Sequence, residues 1–501
     1  MTDRWVPEPV GGGGLDPVVA ETHVSLLIFA GDRAYKLKKA TRNPFLDFST
    51  PDLRRQACQR EVDLNRRLAP DAYLGVAGIG GPEGEACDWL VVMRRMPPER
   101  RLTRLARDGE CQGCLQAVAE KVAAFHRTAA TGPEIEAEGT RDALRGRWEA
   151  NISQMEHVST LLADPSLPGQ IAELAGAYLS GRRALFDRRI AEGHIRDGHG
   201  DLLADDIFCL QDGPRILDCL EFDDKLRYID VLDDACFLAM DLERIAGAEM
   251  GESFLQAYLR ASGDVHPASL AHHYRAYRAH VRAKVASMRH EQGDPDALDE
   301  TTQLLEIALN HLEEARVVLV LVGGLPGTGK STVARHLAEQ KGWTVLRSDE
   351  VRKQIAGSTP SAESGYRQGL YREEITKATY EALLNQARAH LRDGSSVVLD
   401  ASWSKASLRG LAADLAEECA AGFFSLHCEA PIELTAERIQ RRAASGNDPS
   451  DATVDTARSM AGEFDPWPQA RTLDTSGAIQ PTLGSARAAL GELLSTRRSP
   501  S

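Results

Sequence analysis

Apolar residues along this chain change their spacing several times, and each change marks an element. Between Glu21 and Lys38 two short apolar runs flank Gly31-Asp32, which predicts two strands joined by a tight turn. Side chains alternate along a strand, so Lys36 and Lys38 share a face of the second. Arg60–Leu68 has helical spacing, with Val62, Leu64 and Leu68 for a buried face. Asp88–Met96 predicts a further strand, stopped by Pro97-Pro98. From Leu102 to Phe186 the period is helical, with Leu115, Val118, Val122 and Phe125 as one stripe; His126 beside it reads as packed or surface. Short apolar runs that end in carboxylates follow from Asp197 to Asp234, and helical spacing returns after Leu242. Leu304, Leu305, Ala308, Leu312 and Ala315 predict an amphipathic helix that runs into the dense apolar strand Val317–Val322. Beyond it, apolar strands at Trp343–Asp349, Gly394–Asp400 and Gly422–Pro431 alternate with helices, the pattern of a parallel, doubly wound sheet. The expected division is a flexible 1–20, an α+β domain over 21–290, a helical linker over 291–315 and an α/β domain over 316–495.

Composition sharpens this only modestly. At 501 residues the chain should hold two or three domains of about 100–200 residues each. A net charge of −15 argues against bulk binding to nucleic acid or anionic membrane. The first fourteen residues lack an apolar core and no apolar run is long enough to span a bilayer, so the expectation is a cytoplasmic protein without a membrane segment. Of the nine cysteines, Cys111 and Cys114 form the one close pair; without a second pair at zinc spacing they read as structural. The cationic run Tyr274–Lys284 reads as a solvated helix face with snorkelling stems, an acidic ligand or nucleic acid being the alternative.

Candidate chemistry is densest after Val322. Gly324-Leu325-Pro326-Gly327-Thr328-Gly329-Lys330-Ser331, followed by Thr332, satisfies G-x-x-x-x-G-K-[S/T] between a predicted strand and a predicted helix. Glycines let backbone N–H groups turn onto phosphate oxygens, the helix start adds partial positive charge, Lys330 reaches the β/γ-phosphates and Ser331 can ligate magnesium. ATP and Mg²⁺ are the implied cofactors. Asp400, at the end of an apolar strand, has the Walker B form. Over 316–495 the chain resembles the small P-loop kinases grouped with gluconate kinases, zeta-toxin-like kinases and polynucleotide 5′-kinases. That resemblance implies Asp349 as general base for an acceptor hydroxyl, Arg352 as a substrate-side arginine and Asp400 acting through magnesium. It also implies Arg438 and Arg442 as lid arginines, with Asn447–Ala452 as the lid loop. No ABC signature, AAA+ second region of homology or helicase motif is present, which argues against a motor.

A second constellation lies upstream. His199-Gly-Asp201, a strand, and then a second acidic strand end is the order of a catalytic loop followed by a metal loop. Residues from about 20 to 290 resemble the aminoglycoside phosphotransferase-like kinases, whose fold is protein-kinase-like and whose loop reads H-G-D-[LI]-H-x-x-N. The resemblance implies Asp201 as the residue that orients and deprotonates the acceptor hydroxyl, and Glu221 and Asp206 as metal ligands. It further implies Lys36, with Lys38 as the alternative, as the ATP-phosphate lysine, Glu61 as its ion-pair partner, and Asp230 and Asp234 as supports of the loop. The chain departs from the motif at Leu203 and Asp206, where the family has histidine and asparagine. The combined expectation is an ATP-dependent phosphotransferase with two kinase-like domains and a small-molecule hydroxyl, such as that of a sugar, as acceptor. The alternatives are an N-terminal domain that only binds or regulates, or a P-loop domain that phosphorylates polynucleotide 5′-hydroxyls.

Overall fold

The computed structural model describes residues 18–21, 24–42, 47–81, 85–356, 373–445 and 452–495. The stretch 1–17 of the expected flexible N-terminus, and 447–451 of the expected lid loop, lie outside the described residues. Two compact units emerge. The first takes the described residues up to Ala175 together with Phe186–His266 and Leu270–Glu314; the second takes Gly176–Leu185, Pro267–Ser269 and the residues from Ala315 onward.

The first unit opens on an antiparallel five-stranded sheet in the order β1-β2-β3-β5-β4, formed by β1 (Val18–Glu21), β2 (Ser25–Ala30), β3 (Arg33–Lys38), β4 (Tyr73–Gly80) and β5 (Ala86–Arg94). Gly31, at φ 56°, makes the β2–β3 turn. Val18 to Ala20, expected to be flexible, instead pair with β2, Val18 opposite Phe29. The sequence reading also missed β4, because Gly75, Gly78 and Gly80 stand where alternation would show side chains; at Gly78 the missing Cβ leaves room for Ala86, whose Cβ would lie 3.1 Å from it. Thr50 caps the helix Pro51–Asn65 by accepting from Leu53 N–H, and Pro51 opens it. Its Cys58 and Val62 pack with Ala34, Tyr73, Val91 and Met93, which fixes the helix against the sheet. Helices dominate the rest of the unit, with two small two-stranded antiparallel sheets between them. One pairs β6 (Ile195–Asp197) with β9 (Tyr228–Asp230); the other pairs β7 (Ile207–Leu210) with β8 (Gly213–Ile216). A disulfide from Cys114 to Cys209 ties the helix Gln112–Thr128 to β7. This is a five-stranded sheet, one helix on it, and a helical body with two small acidic strand pairs: an α+β unit of protein-kinase-like order.

The helix Ala268–Glu291 departs from its expected solvated character, since Arg275, Arg278 and Arg282 are buried together with His273 and His280. Trp148 Nε1–H donates to His273 Nε2 at 3.3 Å, so that nitrogen must be an unprotonated acceptor. Burial pushes His273 down to about 3, and burial, with Lys284 adding to it, pushes His280 down to about 4, from the ordinary 6.5. Below that ordinary value the unfolded chain takes up protons the fold excludes, so stability should fall as pH drops from 6.5 toward the depressed values. Each histidine should contribute about 1.4 kcal/mol per pH unit of that fall. Urea unfolding of the first unit should therefore show a lower midpoint at pH 5 than at pH 7.5, and equal midpoints would contradict the neutral, buried imidazoles.

In the second unit a parallel sheet runs in the order β11-β12-β10-β13-β14, from β10 (Val318–Gly323), β11 (Thr344–Arg347), β12 (Val397–Asp400), β13 (Gly422–Glu429) and β14 (Arg471–Asp474). Strand β10 is central and buried throughout, which is why its sequence shows no alternation. Later strands add on both sides of it, so its carboxyl end is the crevice where open α/β sheets bind ligands. Val318, Val320 and Val322 pack with Val333, Leu337 and Leu426 to seat the helix Lys330–Lys341 on the sheet. Strand β14 escaped the sequence reading because it is four residues at an edge with only Leu473 buried. Among the described residues no helix is long and apolar enough to cross a membrane.

Candidate active sites

At the carboxyl end of β10 the chain turns through Gly324 (φ 139°), Gly327 (φ 84°) and Gly329 (φ 84°) before the helix begins at Lys330. Gly329 is the N-cap and no side chain caps the helix, so its first N–H groups are left for a ligand. At Gly327 a Cβ would meet Thr435 O at 2.6 Å in a backbone region unfavourable to other residues. Gly327→Ala should thus introduce about 1–3 kcal/mol of strain and weaken nucleotide binding on the order of tenfold. Titration with a fluorescent ATP analogue would read this, and unchanged affinity would contradict the placement of the loop.

Around this turn the expected side chains fall into distinct groups. Asp400 ends β12 beside β10, paired in register with Val322. Arg347, at the end of β11, donates from Nε to Asp400 Oδ2 at 3.2 Å and from a terminal nitrogen to Ser331 Oγ at 3.5 Å, which gathers the carboxylate and the hydroxyl. Asp400 is buried, and its Oδ1 has no hydrogen-bond partner among the described residues. A hard cation wants oxygen ligands of this kind, so Ser331 and Asp400 fit magnesium, with phosphate oxygens and water completing the shell. Burial pushes the Cys428 thiol up to about 12, with Lys330 opposing and Asp400 adding to the shift. Arg438 sits against the loop, donating to Thr475 O at 2.7 Å and to Gly327 O at 3.5 Å. Arg442, one turn on, points elsewhere and donates to Ala452 O at 3.3 Å. The strand expected to end at Asp349 stops at Arg347 instead; Asp349 stands in the first turn of the helix Ser348–Ala356 and is ion-paired with Arg352 at 2.7 Å.

In the first unit both lysines of the expected pair, Lys36 and Lys38, meet Glu61. Glu61, fully buried, accepts from Lys36 Nζ at 2.8 Å on one oxygen and from Lys38 Nζ at 2.7 Å on the other. Two acidic residues from the loop after β8 face the same pair: Lys36 meets Asp218 at 2.9 Å and Lys38 meets Glu221 at 2.7 Å. Glu221 was expected as a metal ligand; here it is tied to Lys38, because three residues beyond Asp218 the loop has reached the second lysine. Asp218 is the residue the sequence reading missed. It lies two residues past the end of β8, stands at φ 63°, and donates its N–H to Tyr73 Oη at 3.2 Å, a left-handed backbone held from outside. Leu217 N–H donates to Asp206 O at 2.9 Å, so Asp206 and Asp218 lie at the same end of the β7–β8 hairpin. Their carboxylates offer oxygen ligands of the kind magnesium takes.

The segment His199–Asp201, expected as a catalytic loop, is held by Asp234, whose carboxylate accepts from His199 N–H at 2.7 Å and Gly200 N–H at 3.1 Å. His126 Nε2 lies 3.0 Å from that carboxylate and its Nδ1 2.9 Å from Tyr258 Oη. Burial opposes ionisation of Asp234, but His126, His199 and the loop amides hold it well below the usual carboxylate range. Asp230 is clamped by Arg189 through 2.8 and 2.6 Å bonds. Asp201 comes next in the loop and lines a cavity of about 180 Å³ with Gly200, Leu220 and Phe222. Phe222 also lines a larger cavity of about 420 Å³, together with Phe48, Arg60 and Glu221.

Fold and sites together define a chain that joins a unit of protein-kinase-like order to a P-loop nucleotide-binding unit. Residues 319–467 match the family model described as an AAA domain. The chain belongs to the family of uncharacterized protein Rv2004c of Mycobacterium tuberculosis, with 41% identity over 471 residues that cover 93% of this chain and 94% of that one. Among solved structures it is similar to a choline/ethanolamine kinase family protein from Mesorhizobium loti, at 14% identity and TM-score 0.37, over 61% of this chain and 95% of that one. It is also similar to a gluconokinase from Sinorhizobium meliloti, at 18% identity and TM-score 0.26, over 36% of this chain and 95% of that one.

Proposed function

We propose that this chain is an ATP- and magnesium-dependent phosphotransferase with two transfer sites, each acting on a hydroxyl of a small molecule such as a sugar or sugar derivative. The observation that carries the reading is the Lys36–Glu61–Lys38 cradle facing Asp218 in a chain that also holds a complete P-loop. Magnesium, when bound, offsets charge on the nucleotide phosphates. In the second unit the loop amides from Gly324 to Gly329, with Leu325, Pro326 and Thr328 shaping the turn, hold the phosphates. Lys330 and Arg438 stabilise the charge of the transferring group, Thr332 joins the loop in binding the nucleotide, Ser331 and Asp400 stand on the cation side, and Asp349 takes the acceptor proton with Arg352 setting its position. Arg442 is assigned to the lid that follows. In the first unit Lys36 and Lys38, fixed by Glu61, meet the nucleotide phosphates, Asp206, Asp218 and Glu221 offer carboxylates, and Asp201 takes the acceptor proton. A nucleic-acid acceptor is disfavoured by the net charge of −15, and a cytoplasmic location is the setting we assign.

A second reading, in which the first unit binds without catalysing, draws on the mutual pairing of both lysines with three carboxylates. The test is ATP turnover, with product identification by mass spectrometry, across sugars, sugar acids, polyols and nucleosides for wild type, Lys330→Ala and Asp201→Asn. Two activities, each lost in one variant only, are expected. If Lys330→Ala removes all transfer and Asp201→Asn none, the first unit is a binding module.

A further inference from the structure

The helix Ala268–Glu291 contributes Tyr277, Arg278, Val281, Arg282, Lys284 and Val285 to the cavity that Asp201 lines. Residues at spacings of three, four and seven fall on one helix face, so this stripe follows from the sequence. Arg147, Arg278, Arg282 and Lys284 bring four cations to the wall, and Asp201 is its one carboxylate among the described residues. Two of the cations are already answered. Arg147 donates to Glu138 at 2.9 Å, and Arg278 grips both oxygens of Asp233 at 2.7 and 2.8 Å while also donating to Gly200 O at 3.2 Å.

Arg282 is not answered. It is 8% exposed, makes no ion pair or hydrogen bond among the described residues, and has a fully buried Nε without an acceptor. Lys284 donates to Asn151 Oδ1 at 2.6 Å, and burial pulls it below its ordinary value with no carboxylate raising it back. A buried guanidinium without a counter-ion is costly, and a cavity that keeps one beside a carboxylate is suited to a ligand bearing the opposite charge. Leu220, Phe222 and Ile229 close the remainder with apolar surface. At about 180 Å³ the space is below the roughly 300–1,000 Å³ of sites for drug-sized ligands, which suits a small metabolite.

We propose that this cavity holds the acceptor of the first unit and that the acceptor is an anion, a small molecule with a hydroxyl for Asp201 and a carboxylate or phosphate for Arg282 and Lys284. The proposal rests on the reading of Asp201 as the proton acceptor. The hydroxyl oxygen forms a bond to the γ-phosphorus of ATP. The bond from that phosphorus to the β,γ-bridging oxygen breaks, its electron pair leaves with ADP, and the hydroxyl proton passes to the Asp201 carboxylate. The anionic end is unchanged and fixes the other end of the molecule. Amine-bearing acceptors would meet four cations, and a neutral polyol would leave Arg282 unanswered.

The test uses full-length Lys330→Ala protein, so that turnover by the second unit is suppressed. D-Glycerate, glycerol 3-phosphate and D-gluconate are compared with glycerol and D-glucitol, by calorimetric binding and by ADP release. At least one acid should bind on the order of tenfold tighter than its neutral counterpart. The glycerate and glycerol 3-phosphate arms distinguish carboxylate from phosphate. Arg282→Met should abolish the preference while raising the melting temperature, and Arg282→Lys should keep part of it. Equal binding of acids and neutral polyols, a preference that survives Arg282→Met, or no acid binding at all would overturn the proposal. Asp201→Asn separates it from the reading beneath it. Acid binding that depends on Arg282 without Asp201-dependent turnover leaves the anion site standing and removes the transfer. Asp201-dependent turnover of neutral polyols that ignores Arg282 does the reverse.

Discussion

Lys330→Ala should lower phosphoryl transfer by the second unit about 10²–10³-fold while leaving its melting temperature nearly unchanged. Lys330 opens the helix Lys330–Lys341, immediately after the positive-φ residue Gly329, and is not part of the packed core, which lies at Val333, Ala334 and Leu337. Its ammonium therefore contributes little to folding. On the proposed reading its contribution is to the charge that builds on the transferring group, where the uncapped helix start and Arg438, which donates to Gly327 O, would also act. Steady-state kinetics on the acceptor found by screening, beside a thermal melt, would check both halves. A variant with full activity, or one that loses activity only because it unfolds, would contradict the role.

Glu61→Ala should destabilise the first unit by about 3–5 kcal/mol, toward the lower end because each lysine keeps one acidic partner. Glu61 and Lys38 are almost completely buried, 0% and 2% exposed, and removal of the shared carboxylate leaves two ammonium groups with Asp218 and Glu221 alone. Burial would raise the Glu61 carboxyl, but Lys36 and Lys38 more than offset this and hold it below its ordinary 4.5. Since the folded value lies below the unfolded one, the carboxylate stabilises fully above 4.5 and less as pH falls through the depressed value. Urea unfolding should show a large loss at neutral pH, and the gap between wild type and Glu61→Ala should narrow in acid. A gap that is small at neutral pH, or that widens in acid, would contradict the buried network. Binding of ATP to the first unit should fall with the same substitution, because Lys36 and Lys38 lose their common anchor.

Much of this was legible along the chain because it depends on local chemistry. The P-loop announces itself through glycines at positions that demand positive φ, and β10 through apolar residues on both faces. The β2–β3 hairpin follows from Gly31-Asp32, and the pairing of Lys36 and Lys38 on one face from strand alternation. What stayed hidden is what tertiary contact decides. Glu61 meets two lysines from β3 more than twenty residues away, and no spacing rule states which lysine it chooses. Asp218 was passed over because the kinase resemblance assigned the metal ligand to Glu221, whereas the carboxylate nearest the end of β8 was three residues earlier. A strand-end carboxylate immediately after Ile216-Leu217 was the available signal. The cationic run at Tyr274–Lys284 read as solvated because charge is ordinarily exposed; burial of Arg278 and Arg282 depends on Asp233, Phe237 and the cavity, none of which the run itself contains. Arg347 was unremarkable as a residue before Ser348-Asp349, and only the register of β11 with β12 sets it beside Asp400.

Nucleotide stoichiometry tests the two-site account most directly. Equilibrium binding of a non-hydrolysable ATP analogue with magnesium to the full chain should reach two nucleotides per chain, falling to one in Lys330→Ala and to one in a Lys36→Ala, Lys38→Ala double variant. One nucleotide per wild-type chain, lost entirely in Lys330→Ala and retained in the lysine double variant, would contradict it.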